Sequence, residues 1–255
     1  QIRSSAASDV YKRQVLRPKK QLTQEENLLL YYFHKSKYRK QMNMNNNTNN
    51  NFPEIIPIFP LKGVVMFPDT YLPLNIFEPR YLEMINKAIS SKSRLVGMIQ
   101  PNNSNHNNFC DVGCAGKIVK FEETTDKRYL ITLKGLSRFE LISEKTNRKN
   151  FKEAQVKWDR YREDLQKKDI KEKFTNLKAS LKEYFKIKNI KVNFEVIDKC
   201  NDYNFVDQIT MICPLAFEEK QLLLETISIS KRGNLLKSII DSYASEENIS
   251  KVVKH

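Results

Sequence analysis

Ile55-Ile-Pro-Ile-Phe-Pro-Leu-Lys-Gly-Val-Val-Met-Phe-Pro-Asp69, then Leu72-Pro-Leu-Asn-Ile-Phe-Glu-Pro-Arg-Tyr81 and, after a helical run, Leu95-Val-Gly-Met-Ile-Gln-Pro101, form the stretch on which the fold turns. Five prolines (Pro53, Pro57, Pro60, Pro68 and Pro73) cut it into short apolar pieces. Proline lacks the ladder donor and biases its predecessor to extended backbone, so these pieces read as short, kinked strands, Ile55–Phe59 and Val64–Phe67 among them. From Arg80 to Ile89, residues Tyr81, Met84, Ile85 and Ala88 recur at helical spacing and predict an amphipathic helix. Arg94–Gln100 reads as a buried strand.

Working outward, Val112–Thr124, Tyr129–Lys134 and Ser137–Lys145 are rich in β-branched and aromatic residues. They are divided by Thr125-Asp-Lys127 and by Gly135. Ala154–Trp158 reads as one more strand, and Asn102–Asn108 as a polar loop. Six or so short strands with a single helix predict a small closed or nearly closed β-barrel over residues 52–158. The pattern then turns helical over 159–245. Asp169–Phe185 carries Ile170, Phe174, Leu177, Leu181, Tyr184 and Phe185 at three- and four-residue intervals, with Asp169 as the expected N-cap. Asn204–Cys213, stopped by Pro214, Phe217–Thr226 and Gly233–Ala244 follow, with a basic tail over 246–255. The expected fold class is α+β: a small β-barrel followed by a C-terminal helical bundle.

Composition bounds the function. A 255-residue chain with 40% hydrophobic residues can bury a substantial core. No window approaches the roughly 20 apolar residues that a membrane span needs, so no membrane partner is expected. Four cysteines do not suggest a disulfide scaffold, and a cytoplasmic, reduced protein is expected. The net charge of +14 is unevenly placed: residues 1–51 hold ten Lys/Arg against three Asp/Glu, and the remainder 34 against 27. Half of the excess therefore lies in a fifth of the chain. For the folded part, a solvated lysine-rich surface is the plainer reading and a phosphate-binding face the alternative.

Residues 1–51 are expected to be a non-native or disordered leader. Asp9-Val-Tyr-Lys-Arg-Gln14 corresponds to the translation of a sequencing-library transposon end, so residues 1–14 read as an adapter artefact. Residues 15–41 read either as upstream DNA carried through in frame or as a basic arm in which Thr23-Gln-Glu-Glu26 caps a short helix. Asn43–Asn51 holds too few apolar groups to pack.

The ordered phrases Ile56–Pro68, Leu72–Tyr81 and Gly97–Pro101 resemble the N-terminal substrate-binding domain of Lon proteases. The resemblance is nearer still to stand-alone bacterial proteins made of that domain alone. Gly113-Cys-Ala-Gly-Lys-Ile118, Phe121-Glu-Glu123, Arg128–Gly135 and Arg138-Phe139 extend it, as do Pro214-Leu215, Glu219-Lys-Gln221 and Leu223-Leu-Glu225. It implies a PUA-like barrel followed by helices and a non-catalytic polypeptide-binding module, an adaptor or holdase linked to protein quality control and proteolysis. The partners it implies are unfolded or tagged polypeptides and a separate ATP-dependent protease. The alternative is a PUA-like RNA-binding module.

An enzyme is not expected. The only Gly-Lys pair, Gly116-Lys117, has Asp111 where a phosphate-cradling loop needs glycine and Ile118 where it needs a hydroxyl. No serine lies in the glycine-flanked setting of a Ser-Lys peptidase. No cofactor is implied. His106, Cys110 and Cys114 fall at four-residue intervals but lack a Cys-x-x-Cys knuckle and a fourth ligand, so no metal is expected. Glu78 and Arg80 read first as a buried hydrogen-bonded pair ordering the barrel, and second as groups lining a polypeptide groove. Phe67, Phe77 and Tyr81 read as core aromatics, or as a contact patch if exposed together. Lys117, Lys120, Arg128 and Arg138 are candidates for a basic strip on the barrel, with exposed strand ends the duller reading.

Overall fold

The computed structural model describes residues 52–102, 108–166, 174–190 and 204–252. The leader, His106, Asp169, Ile170 and Cys200 lie outside those residues. Six strands lead: β1 (Ile55–Pro60), β2 (Tyr71–Ile76), β3 (Leu95–Ile99), β4 (Val112–Glu123), β5 (Tyr129–Thr146) and β6 (Lys152–Lys157). Helix α1 (Pro79–Ser90) lies between β2 and β3. A 3-10 segment (Asp159–Leu165) follows β6, and then come α2 (Thr175–Ile187), α3 (Phe205–Ile212), α4 (Phe217–Glu225) and α5 (Ile229–Val252).

The strand order β2-β5-β4-β3-β1-β6, with a further β5–β6 pairing, closes a ring of β1, β3, β4, β5 and β6. Strand β2 hangs on the outside of β5, so Pro73 falls on a strand paired on one side only. Pro57 opposes Glu153 of β6, whereas the parallel pairing of β1 with β3 starts one residue later, at Ile58. The prolines thus sit where a ladder donor is not required. The α+β class and the ring followed by helices agree with the sequence reading.

Alternation along the strands makes two cores. Inside the ring, Ile56, Ile58, Leu95, Ile99, Ala115, Phe139, Ala154 and Val156 pack together. The lumen is tight: a Cβ on Gly113 would lie 2.4 Å from Phe139 Cζ. Outside the ring, Phe59, Val96, Met98 and Cys114 share a larger core with α1 and the C-terminal helices. Every residue of β3 is therefore buried, as expected for a strand covered on both faces. Helix α1 buries Tyr81, Met84, Ile85 and Ala88, the four residues its periodicity singled out.

Strand β2 is not among the expected strands, and other elements also differ from the sequence reading. Val64–Phe67 is not a strand; it is an irregular segment buried on all sides, entered through Gly63 at φ +76°. Tyr129–Lys134 and Ser137–Lys145 fuse into one 18-residue strand through Gly135. That glycine marks a close approach rather than a break. Its N–H donates to the Thr70 carbonyl, its carbonyl accepts from Asp69 N–H, and a Cβ there would stand 2.0 Å from the Phe67 carbonyl oxygen. Gly233 likewise lies inside α5, where a Cβ would meet the Phe174 ring at 2.5 Å, so the helix begins earlier than a glycine start suggests. The same helix continues through Val252, past the expected boundary at Ser245.

Gly135→Ala forces a methyl into the Phe67 backbone and should lower the melting temperature by at least about 5 °C, read by thermal circular dichroism. Gly63→Ala meets no atom within 4 Å and carries only the cost of positive φ, so its loss should be smaller. Equal losses would contradict the close-approach account.

Candidate functional site

Arg138 projects from β5 away from the lumen and is 1% exposed. Its Nε donates to Asp164 Oδ2 at 2.9 Å and its Nη2 to Asp164 Oδ1 at 2.8 Å, a bidentate pair, while its backbone N–H also donates to Oδ2. The remaining nitrogen, Nη1, donates to the carbonyls of Leu224 and Thr226 at the end of α4, and the guanidinium lies 4.3 Å from the Tyr161 ring centre. Arg232 of α5 closes on the same turn from the other side. It donates to the Leu223, Thr226 and Ile227 carbonyls, pairs with Asp207 of α3, and covers the Phe67 ring. Burial works against the Arg138 charge, but the hydrogen bonds and field of Asp164 outweigh it and hold the group above its usual pKa.

A second junction is built on two amide side chains and a buried lysine. Gln100, just past β3, accepts from Gly63 N–H and donates to Gln221 Oε1, while Gln221 donates to the Val112 carbonyl. Buried Lys220 donates to the carbonyls of Gly63 and Met211. Together these contacts fix the helices against the barrel wall. Arg138 is thus a structural cation, and the exposed strip expected to include it does not form. Lys117 and Lys120 are exposed, but Lys120 pairs with Glu122 at 3.7 Å and Arg128 with Asp126 at 2.6 Å, so acidic groups interrupt the row.

Phe67 is fully buried, and Tyr81 is buried against Phe59 with ring centres 4.4 Å apart. Phe77 is half-buried. Glu78 and Arg80 do pair, at 2.8 Å, but at the surface, because they sit at the solvent end of α1 where Arg80 lies over the Tyr81 ring. The buried pair expected there is not formed. These groups do not come together as an aromatic patch. Cys110 and Cys114 are both buried. Burial, with smaller contributions from Glu225, Asp111 and Glu218, pushes the Cys110 thiol up to about 12.

The exposed apolar groups lie on an arm that the sequence reading missed, with Phe121 on one face and Leu130 on the other. Strand β4 has 12 residues and β3 only five, so β4 outruns its neighbour: the register ends at Leu95 with Lys117, and Ile118 N–H donates to the Arg94 carbonyl. Beyond that point β4 pairs with β5 alone. The overhang holds Val119, 46% exposed, and Phe121, 43% exposed, with Leu130 of β5 at 37%. Phe121 stacks edge-on with Tyr129 at 4.9 Å. A bulge between Ile118 and Lys120 leaves Val119 outside the register. Among the described residues no strand pairs with the outer edge of Val119–Glu123. The arm therefore offers apolar side chains beside unpaired backbone groups, the arrangement that accepts an extended chain by strand addition. The usable signal was the unequal length of the two strand patterns.

With the geometry in place, comparison with known proteins assigns the family. Residues 55–242 match the family model of the ATP-dependent protease La (LON) substrate-binding domain, and the chain belongs to that family. Among curated relatives, Lon protease 1 of Hydrogenovibrio crunogenus is 27% identical over 212 residues, covering 77% of this chain and 25% of that protein. Lon protease of Cytophaga hutchinsonii is 26% identical over 204 residues, covering 74% of this chain and 24% of that protein. The chain thus spans about a quarter of the length of the Lon proteases it matches. In structure it is similar to the Lon N-terminal domain protein from Xanthomonas campestris, with a TM-score of 0.50 and 18% identity, covering 72% of this chain and 97% of that one.

Arg138→Met takes the guanidinium from buried Asp164, which keeps the residue-138 backbone N–H, and should cost about 3–5 kcal/mol in urea unfolding, whereas Arg138→Met with Asp164→Leu should recover only part of that loss, because the Leu224 carbonyl still lacks its donor. A double variant no more stable than the single would contradict the pairing. Cys110 adds an alkaline limit: with its folded pKa raised, the unfolded state loses the proton first. Its contribution is intact below about pH 9 and falls as pH climbs toward about 12. Replacing Cys110 with Ala should flatten the decline in unfolding free energy over that window, measured as a pH series of urea midpoints.

Proposed function

We propose that this chain is a non-catalytic polypeptide-binding module that holds unfolded or tagged segments and acts in the cytoplasm as an adaptor or holdase beside a separate ATP-dependent protease. Family membership supports the polypeptide class of ligand. The observation that carries the reading is the β4–β5 arm, where Val119, Phe121 and Leu130 stay exposed beside an unpaired strand edge. Main-chain hydrogen bonds along such an edge are indifferent to sequence, and three or four apolar contacts add modest affinity, so capture should be weak and tolerant. The RNA alternative is less favoured, because Arg138, one of its four candidate cations, lies in the buried clamp and Lys120 and Arg128 pair with Glu122 and Asp126.

Phe121→Ser with Leu130→Ser should leave the fold intact, since both side chains are partly in water. The double variant should lose at least half of the protein's ability to slow aggregation of a chemically unfolded model polypeptide, followed by light scattering. A wild-type protein with no effect on aggregation, or a variant as effective as wild type, would overturn the assignment.

A further inference from the structure

The overhanging edge of β4 is complementary to itself. Its pairing with β5 shows which way its backbone groups point. Thr124 N–H donates to the Arg128 carbonyl, so in the antiparallel register Glu122 with Leu130 and Lys120 with Thr132 also face β5. The alternate residues, Phe121 and Glu123, turn their N–H and C=O groups to the open side. Ile118 N–H points to that side too, toward the end of β3.

We infer that two copies of this chain associate by pairing these edges antiparallel about a two-fold axis at Phe121. In that register Phe121 faces Phe121 of the second copy and the two exchange both backbone hydrogen bonds. Lys120 of each copy faces Glu122 of the other. A two-fold interface requires that residue i meet j and j meet i, and the order Lys-Phe-Glu around one central residue meets it with opposite charges at both flanking positions. Those flanking positions are non-hydrogen-bonded pairs, the kind in which side chains approach most closely. Lys120 and Glu122 are both well exposed and form only a long 3.7 Å ion pair within the strand, so both can turn to the second copy. The aromatic pair covers the Phe121 surface that each copy otherwise leaves in water. The result is a sheet running through β5, β4, and the second copy's β4 and β5. With about five residues a side, the interface lies at the small end of specific contacts, and association should be weak and concentration-dependent.

The inference goes beyond polypeptide capture, and the two are separable. Both use the edge at Phe121, but pairing between copies depends on opposite charges at 120 and 122, whereas capture of an extended chain does not. The test is sedimentation equilibrium of the full chain at near-physiological salt, up to several hundred micromolar. Wild type should show a monomer–dimer equilibrium. Lys120→Glu sets Glu against Glu at both flanking positions and Glu122→Lys sets Lys against Lys, so each alone should weaken dimerisation by about tenfold or more. An equimolar mixture of the two variants restores opposite charges and should recover the dimer, as should the double variant K120E/E122K. A monomeric wild type over the whole range, single variants that dimerise like wild type, or a mixture that stays monomeric would overturn the inference.

Discussion

The bidentate pair between Arg138 and Asp164 is the contact on which the two halves of the molecule depend. Arg138 belongs to the longest barrel strand, Asp164 to the 3-10 segment that leads out of the barrel, and the third guanidinium nitrogen reaches the last turn of α4. A helix end has carbonyls without intrahelical partners, and burying them unpaired would be costly. Arg138 and Arg232 satisfy those of α4 from both sides, so a terminus that would otherwise seek water can be packed against the barrel wall. A buried arginine is a poor source of net stability compared with an apolar residue, but it is demanding about geometry. One placement of α4 gives it all its acceptors, and the outer core of Phe59, Met98, Leu223 and Leu236 then packs around that placement.

The same constraint explains what the amino-acid sequence disclosed and what it withheld. Helix α1 was readable because its four buried residues recur at 3.6-residue spacing, and the strands because β-branched residues alternate between proline and glycine boundaries. The ring followed by helices came from that order of elements. Gly135 misled because a glycine in a strand pattern looks like a break, whereas its function is to admit the Phe67 backbone, a contact 68 residues away in the chain. Val64–Phe67 misled for a related reason. Four consecutive apolar residues fit a strand equally well as an irregular segment covered on every side. Arg138 misled most, since charge in a sequence implies surface until its partner is known. Asp164 stands 26 positions along and carries no local mark of its role.

What remains at the surface after the clamp is formed defines where the protein can meet others. The aromatic residues of the proline-rich stretch, Phe59, Phe67 and Tyr81, are consumed by packing. The expected basic row is broken by its own acidic neighbours. The β4–β5 arm escapes both fates because β3 stops short and, among the described residues, leaves five residues of β4 without an outer strand. Rigid scaffold and exposed arm are thus two consequences of the same strand lengths: β5 is long enough to anchor the clamp at Arg138 and, at its other end, to carry Leu130 into solvent.

The most direct measurement is amide hydrogen exchange of the full chain with and without a saturating unfolded polypeptide. Exchange should slow at Phe121 and Glu123, whose N–H groups face the open edge, with little change in α1 or at the Arg138 clamp. Protection confined to α1 or the C-terminal helices, with the β4 edge unchanged, would contradict it.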